Sequence, residues 1–159
     1  MEYRIESDSL GLVEVPRDAY WGSQAERSRR LFPISGLTEH PKMIDAFVML
    51  KRMCAEANAS LGLIDKEVGA CIVQAADEIL SGKMRDQFPV DVFHMGAGTS
   101  FNMNVNEVLA NRAEELLGGE KGLYSKVNPN AHVNFGQSTN DTVPTAMRVM
   151  SRLMLVDLY

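Results

Sequence analysis

The chain has 159 residues, 45% of them hydrophobic and 23% charged, and carries a formal net charge of −5. That balance belongs to a folded domain with its own core and excludes a disordered segment as the default. The acidic charge argues against a nucleic-acid or anionic-membrane surface, since either needs clustered Lys and Arg, and points to small polar molecules as partners.

The first residues have no apolar stretch of the kind a leader needs, and no later window approaches the roughly 18 apolar residues of a membrane span, so a cytoplasmic protein is expected. Cys54 and Cys71 are the two thiols. Each falls on the apolar stripe of a predicted helix, which reads as a reduced core residue, and the histidines lack metal-ligand spacing. Neither a metal nor a cofactor is expected.

In chain order, Tyr3-Arg4-Ile5-Glu6 and Leu12-Val13-Glu14-Val15 alternate at period two around a Ser-Asp-Ser-Leu-Gly turn and predict a small β arm closed by Pro16. One short helix is expected before the turn Phe32-Pro33-Ile34-Ser35-Gly36, with Tyr20, Trp21 and Phe32 as packing residues. Met43, Phe47, Leu50, Cys54, Ala57 and Leu61 then step by threes and fours along one helix face, ending near Gly62. Asp65 caps a second long helix through Val68, Ile72, Ala75 and Ile79, stopped by Gly82. So short a connection predicts antiparallel packing of the two.

A further helix opens near Thr99 or Ser100 and runs through Val105, Val108, Leu109 and Ala113 to Gly118-Gly119. Asn102, Asn104 and Asn106 fall in its first turns, where asparagine is a mediocre helix former. Their amides are either a functional feature or partners for buried backbone. A last helix is announced by Asp141 or Thr142 as cap, with Pro144 in its first turn and Ala146, Met147, Met150, Leu153 and Met154 following. Its pattern continues to Tyr159 without a stop, which reads as a truncated chain whose last helix has an uncovered apolar face.

Two polar runs carry the chemistry. Gly98-Thr99-Ser100 puts free backbone N–H groups, the positive end of a helix and a hydroxyl together, a ready site for a carboxylate. Ser138-Thr139-Asn140-Asp141 repeats this before the last helix, so two converging ends would suit a small dicarboxylate. Both runs also read as ordinary N-caps. His132 and His94 are each either an acid or base near the site or a hydrogen-bonded structural residue.

Residues 96–113, beginning Gly96-Ala97-Gly98-Thr99-Ser100-Phe101-Asn102, resemble the first characteristic region of the aspartase/fumarase superfamily. Residues 129–146, containing Gly136-Gln137-Ser138-Thr139-Asn140-Asp141, resemble another, and Asp8-Ser9-Leu10-Gly11 with Glu14-Val15-Pro16 extends the likeness over nearly the whole chain. Gly96-Ala97-Gly98-Thr99-Ser100, Phe32-Pro33-Ile34-Ser35-Gly36 and Glu120-Lys121-Gly122 look more like the aspartate ammonia-lyase branch than the class II fumarase branch. Asn128 and Ala131 depart from the fumarase pattern, and His94-Met95 departs from both.

The resemblance implies a mainly α fold, with residues 1–140 as an N-terminal helical domain bearing a small β arm and residues 141–159 as the start of a central helical bundle. It implies a lyase converting L-aspartate to fumarate and ammonia, with Thr99, Ser138, Thr139 and Asn140 binding the substrate. The family's base serine and its histidine lie downstream, so no catalytic residue is expected in this chain and the chain alone is expected to be inactive. The full-length protein would be a homotetramer with sites shared between subunits. A class II fumarase, or a non-catalytic module keeping the fold, are the alternatives.

Overall fold

The computed structural model describes residues 2–156. Two strands, β1 (Tyr3–Asp8) and β2 (Gly11–Pro16), pair antiparallel from Tyr3↔Pro16 to Asp8↔Gly11. Five α-helices follow: α1 (Ser23–Leu31), α2 (Pro41–Ser60), α3 (Lys66–Leu80), α4 (Thr99–Leu116) and α5 (Thr139–Val156). A single π-helical turn, Pro129–Val133, stands between α4 and α5. The mainly α architecture with a β arm is the one expected.

The β arm is longer than the alternating residues alone suggested, because Asp8 accepts the Leu10 N–H at 2.8 Å and closes the chain in a two-residue turn. Arg4 then ties the arm down. Its guanidinium donates to Glu6 Oε1 and to the carbonyls of Pro16, Arg17, Ala19 and Trp21. α1 opens without a side-chain cap of its own. Its free donors are met from across the fold: fully buried Glu107 accepts N–H bonds from Gly22, Gln24 and Ala25 at 2.9, 2.9 and 3.1 Å. Burial still pushes the Glu107 carboxyl up to about 7 against the opposing pull of those three donors.

α2 and α3 start and stop where the sequence predicts. Asp65 caps α3 through the Glu67 and Val68 N–H groups, and Gly62 at φ +71° ends α2 with bonds from Gly62 to the Ala59 carbonyl and from Leu63 to that of Asn58. The buried face of α2 differs from the expected one. Ala57 and Leu61 are exposed and Leu50 and Cys54 only half-buried, whereas Ile44, Phe47, Val48, Lys51 and Ala55 are inside. The buried face also takes in Lys51, which meets polar partners described below.

α4 is the centre of the molecule. From Ser100 to Asn111 every residue is buried, with Phe101, Val105, Val108 and Leu109 in the main core alongside Phe47, Ile72 and Ile79. Enclosure takes the polar side chains of α4 out of water, and they hydrogen-bond to neighbouring segments, although the Asn104 and Asn106 side-chain oxygens are buried without a partner. Asn104 donates to the Gln87 carbonyl, Asn111 to that of Tyr20, and Glu114 receives the N–H groups of Ser125, Lys126 and Val127.

α5 begins earlier than predicted. Ser138, not Asp141 or Thr142, stands before its first turn: its carbonyl accepts from Asp141 and Thr142 N–H, and its Oγ accepts from Asn140 N–H at 3.3 Å. Pro144 therefore lies inside the helix and removes the bond that the Asn140 carbonyl would accept. The apolar face of α5 is covered only in its first half, where Ala146 is buried in the core and Val143, Val149 and Met150 pack against that core. Met147, Met154, Leu155 and Val156 remain exposed. The predicted continuation through residues 157–159 lies outside the described residues. Both thiols are free and only half-buried, and Cys71 packs against the core.

Candidate functional site

The two polar runs meet. Gly98, the residue before α4, adopts φ +92°, and a Cβ there would fall 2.4 Å from Val143 Cγ2 of α5. One turn into α4, Asn102 donates to Thr139 Oγ1 at 3.3 Å, and its Oδ1 accepts from the Thr142 hydroxyl at 3.4 Å. The start of α4 and the first turns of α5 are therefore in contact, through Gly98 against Val143 and Asn102 against Thr139 and Thr142.

The four predicted binding residues differ in what they already do. Thr99 begins α4, and that helix has no side-chain cap, so its hydroxyl is not engaged in capping. The Ser138 hydroxyl accepts from Asn140 N–H, and that of Thr139 accepts from Asn102, which leaves each with its own proton to donate. Asn140 is exposed beside them.

His132 is structural in its geometry. Its Nδ1 accepts the Asn128 N–H at 2.9 Å, while Asn128 Oδ1 accepts from Asn130 and Ala131, so the imidazole and the amide together brace the π-helical turn. His94 lies at the edge, in a cleft of about 400 Å³ shared with Glu39, Gly96, Gly98 and Val143. No group of three or more His, Cys, Asp or Glu side chains suited to a metal ion occurs among the described residues, and no helix among them is long and apolar enough to cross a membrane.

Beneath the second run lies a group the sequence reading missed. Lys51 is completely buried, and its Nζ donates to Asn134 Oδ1 at 2.8 Å and Gln137 Oε1 at 2.9 Å. Asn134 Oδ1 also accepts from Asn106 at 3.2 Å and Asn102 at 3.4 Å, so α2 and α4 both grip the loop through one amide oxygen. The available signal was a lysine on an otherwise apolar stripe between Phe47 and Ala55. Two of the three early asparagines of α4 thus serve the loop, while Asn104 serves the backbone.

Burial pulls the Lys51 pKa down from 10.5 to about 7. Below that value the ammonium is charged in both folded and unfolded chains and its desolvation opposes folding; above 10.5 it is neutral in both. Stability is therefore expected to rise with pH between about 7 and 10.5, as the native state sheds this proton first. Urea unfolding of the wild type and Lys51→Met across this interval checks it: the wild-type free energy should climb more steeply, and parallel curves would count against the assignment.

The profile of the lyase family matches residues 11–158. The chain belongs to the lyase family. Over 148 residues it is 55% identical to an aspartate ammonia-lyase from a Bacillus species, covering 93% of this chain and 32% of that protein. It is 54% identical over 156 residues to a class II fumarate hydratase from Halobacterium salinarum, covering 98% and 33%. Among solved structures, a fumarate lyase:delta crystallin from Brucella melitensis bound to cobalt superposes with a TM-score of 0.93 at 45% identity, over 96% of this chain and 34% of the other. A class II fumarase from Schistosoma mansoni gives 0.90 at 39%, over 94% and 32%. The chain thus spans about a third of the length of the lyases it matches. Its fold is that of a lyase of the aspartase/fumarase superfamily.

Proposed function

We propose that this chain is the N-terminal part of a lyase that removes ammonia from L-aspartate to give fumarate, with Thr99, Ser138, Thr139 and Asn140 binding the dicarboxylate. In this reading residues 1–140 form the first domain and α5 leads into a central bundle. The observation that carries it is the pairing of two helix N-termini with hydroxyls that keep protons to donate. The reaction takes a proton from the carbon beside a carboxylate, and that carboxylate becomes an aci-carboxylate dianion before the C–N bond breaks and ammonia leaves. Donors aimed at this developing charge stabilise it more than they stabilise the substrate. Thr99, Ser138 and Thr139 hold that carboxylate, and Asn140 bonds the amino group or the other carboxylate.

The base and the histidine come from downstream chain, and the complete protein is a cytoplasmic homotetramer whose subunits share sites. The 159-residue chain by itself is then without lyase activity. Identity to an aspartate ammonia-lyase supports the deamination, as do Asn128 and Ala131 at positions where fumarases differ. A second reading, hydration of fumarate to L-malate, is supported by the 54% identity to a fumarate hydratase.

Fumarate absorbance from L-aspartate and from L-malate, followed in the complete polypeptide, separates these. Turnover of malate alone establishes the second reading, and turnover of neither favours a non-catalytic module that keeps the fold. Thr99→Ala in the complete enzyme is expected to lower kcat about a hundredfold, the scale of one lost oxyanion donor. An unchanged rate would reduce Thr99 to the first residue of a helix.

A further inference from the structure

We infer that Lys51 is the positioning residue of the substrate-binding loop: by holding Asn134 and Gln137 from below, it sets where Ser138, Thr139 and Asn140 present their donors. This rests on the lyase reading above for its catalytic consequence, and on geometry alone for its structural part.

A lysine buried without an ion pair is costly, and Lys51 forms none among the described residues. Its two partners are neutral amide oxygens, both from one four-residue stretch of loop, 83 and 86 positions away in sequence. Those same amides turn their nitrogens back onto the loop. Asn134 Nδ2 donates to the Gln137 carbonyl at 3.1 Å, and Gln137 Nε2 donates to the Val133 carbonyl at 2.9 Å. The lysine therefore orients two side chains that in turn fix the backbone between Val133 and Gln137, and the next residue is Ser138.

The support is rigid from the other side as well. Phe47, one turn before Lys51 on α2, packs edge-to-face on Phe101 of α4 with ring centroids 5.3 Å apart. Asn102 and Asn106 of α4 reach the same Asn134 oxygen that Lys51 reaches. Asn58 of α2 adds a bond to the Phe135 carbonyl at 3.1 Å. One helix pair thus carries both Thr99 and the anchor of the opposite loop, which fixes the two halves of the dicarboxylate site relative to each other. A shift of about an ångström in such a pair costs on the order of a hundredfold in rate.

Two measurements test the inference. In the 159-residue chain, amide resonances of residues 133–142 are compared between wild type, Lys51→Met and Gln137→Met by NMR. Both variants should displace the signals of Ser138, Thr139 and Asn140 while leaving those of α3 in place; unmoved loop signals in both overturn the inference. Gln137 is only half-buried, so that variant keeps the test open should Lys51→Met fail to fold.

In the complete enzyme, Lys51→Met should lower kcat about a hundredfold and Gln137→Met about tenfold, with KM changed by less than about fivefold, because the donors act on charge formed in the transition state. Lys51→Arg, which keeps the donors, should recover at least about tenfold of the loss. A normal kcat per folded site in Lys51→Met and Gln137→Met overturns the positioning role. If wild-type enzyme turns over neither aspartate nor malate, the lyase reading fails instead, and the NMR result alone decides whether Lys51 places the loop.

Discussion

Replacing Phe101 with alanine is expected to lower the free energy of unfolding by about 3–5 kcal/mol. The ring is 1% exposed and sits between two others, Phe47 at 5.3 Å and a 90° interplanar angle and Phe88 at 6.3 Å and 55°. Truncation removes its burial and leaves a cavity that α4, enclosed on all sides, has no room to close. Against the roughly 5–15 kcal/mol that holds a small domain together, such a loss is a large fraction. Urea unfolding measures it, with Phe93→Ala as the control. Phe93 is 60% exposed, so its replacement should change stability by no more than about 0.5 kcal/mol. Equal losses at both positions would show that burial is not the cause. Because Phe101 lies between Ser100 and Asn102, the same substitution should loosen the start of α4 that the site uses.

Gly98→Ala is expected to cost about 2–5 kcal/mol, by adding a left-handed-backbone penalty of roughly 1–2 to an overpacking penalty of roughly 1–3. The residue holds φ +92°, and its new Cβ would lie 2.4 Å from Val143 Cγ2 and 2.9 Å from Cγ1. Neither contact is tolerable, so α5 must move off α4 at the place where the two polar runs meet. Combining Gly98→Ala with Val143→Ala removes the collision but leaves the backbone strain. Thermal unfolding should therefore place the double variant between wild type and Gly98→Ala. A double variant no better than the single would mean that the helices do not touch there.

Much of the fold is legible from local chemistry. Asp65 reads as a cap because a carboxylate after a glycine-terminated helix has backbone N–H groups to receive, and it receives those of Glu67 and Val68. Gly62 and Gly82 read as stops because each takes a positive φ, +71° and +104°, that side chains resist. The start of α4 at Thr99 was legible for the same reason. The start of α5 was less so: Ser138, Thr139, Asp141 and Thr142 are all competent caps, and local sequence does not rank them. Ser138 holds the place because Asn102 engages Thr139 and Thr142 from α4.

Of the candidate site, Thr99, Ser138, Thr139 and Asn140 are proposed from glycine, hydroxyl and amide patterns and from resemblance to the superfamily, and the structure brings the start of α4 into contact with the first turns of α5. Lys51 was not found. A single lysine in an apolar stripe looks like an error of register until Asn134 and Gln137 are seen opposite it.

By itself the sequence determined the bounds of α2 and α3, the start of α4 and the presence of a β arm, because each of these depends on neighbours within a few positions. The tertiary structure alone decided which face of α2 is buried, which hydroxyl caps α5, and how the loop is held. Those outcomes depend on contacts such as the ones from Lys51, 83 and 86 residues apart, whose hydrogen bonds leave no periodic trace in the chain.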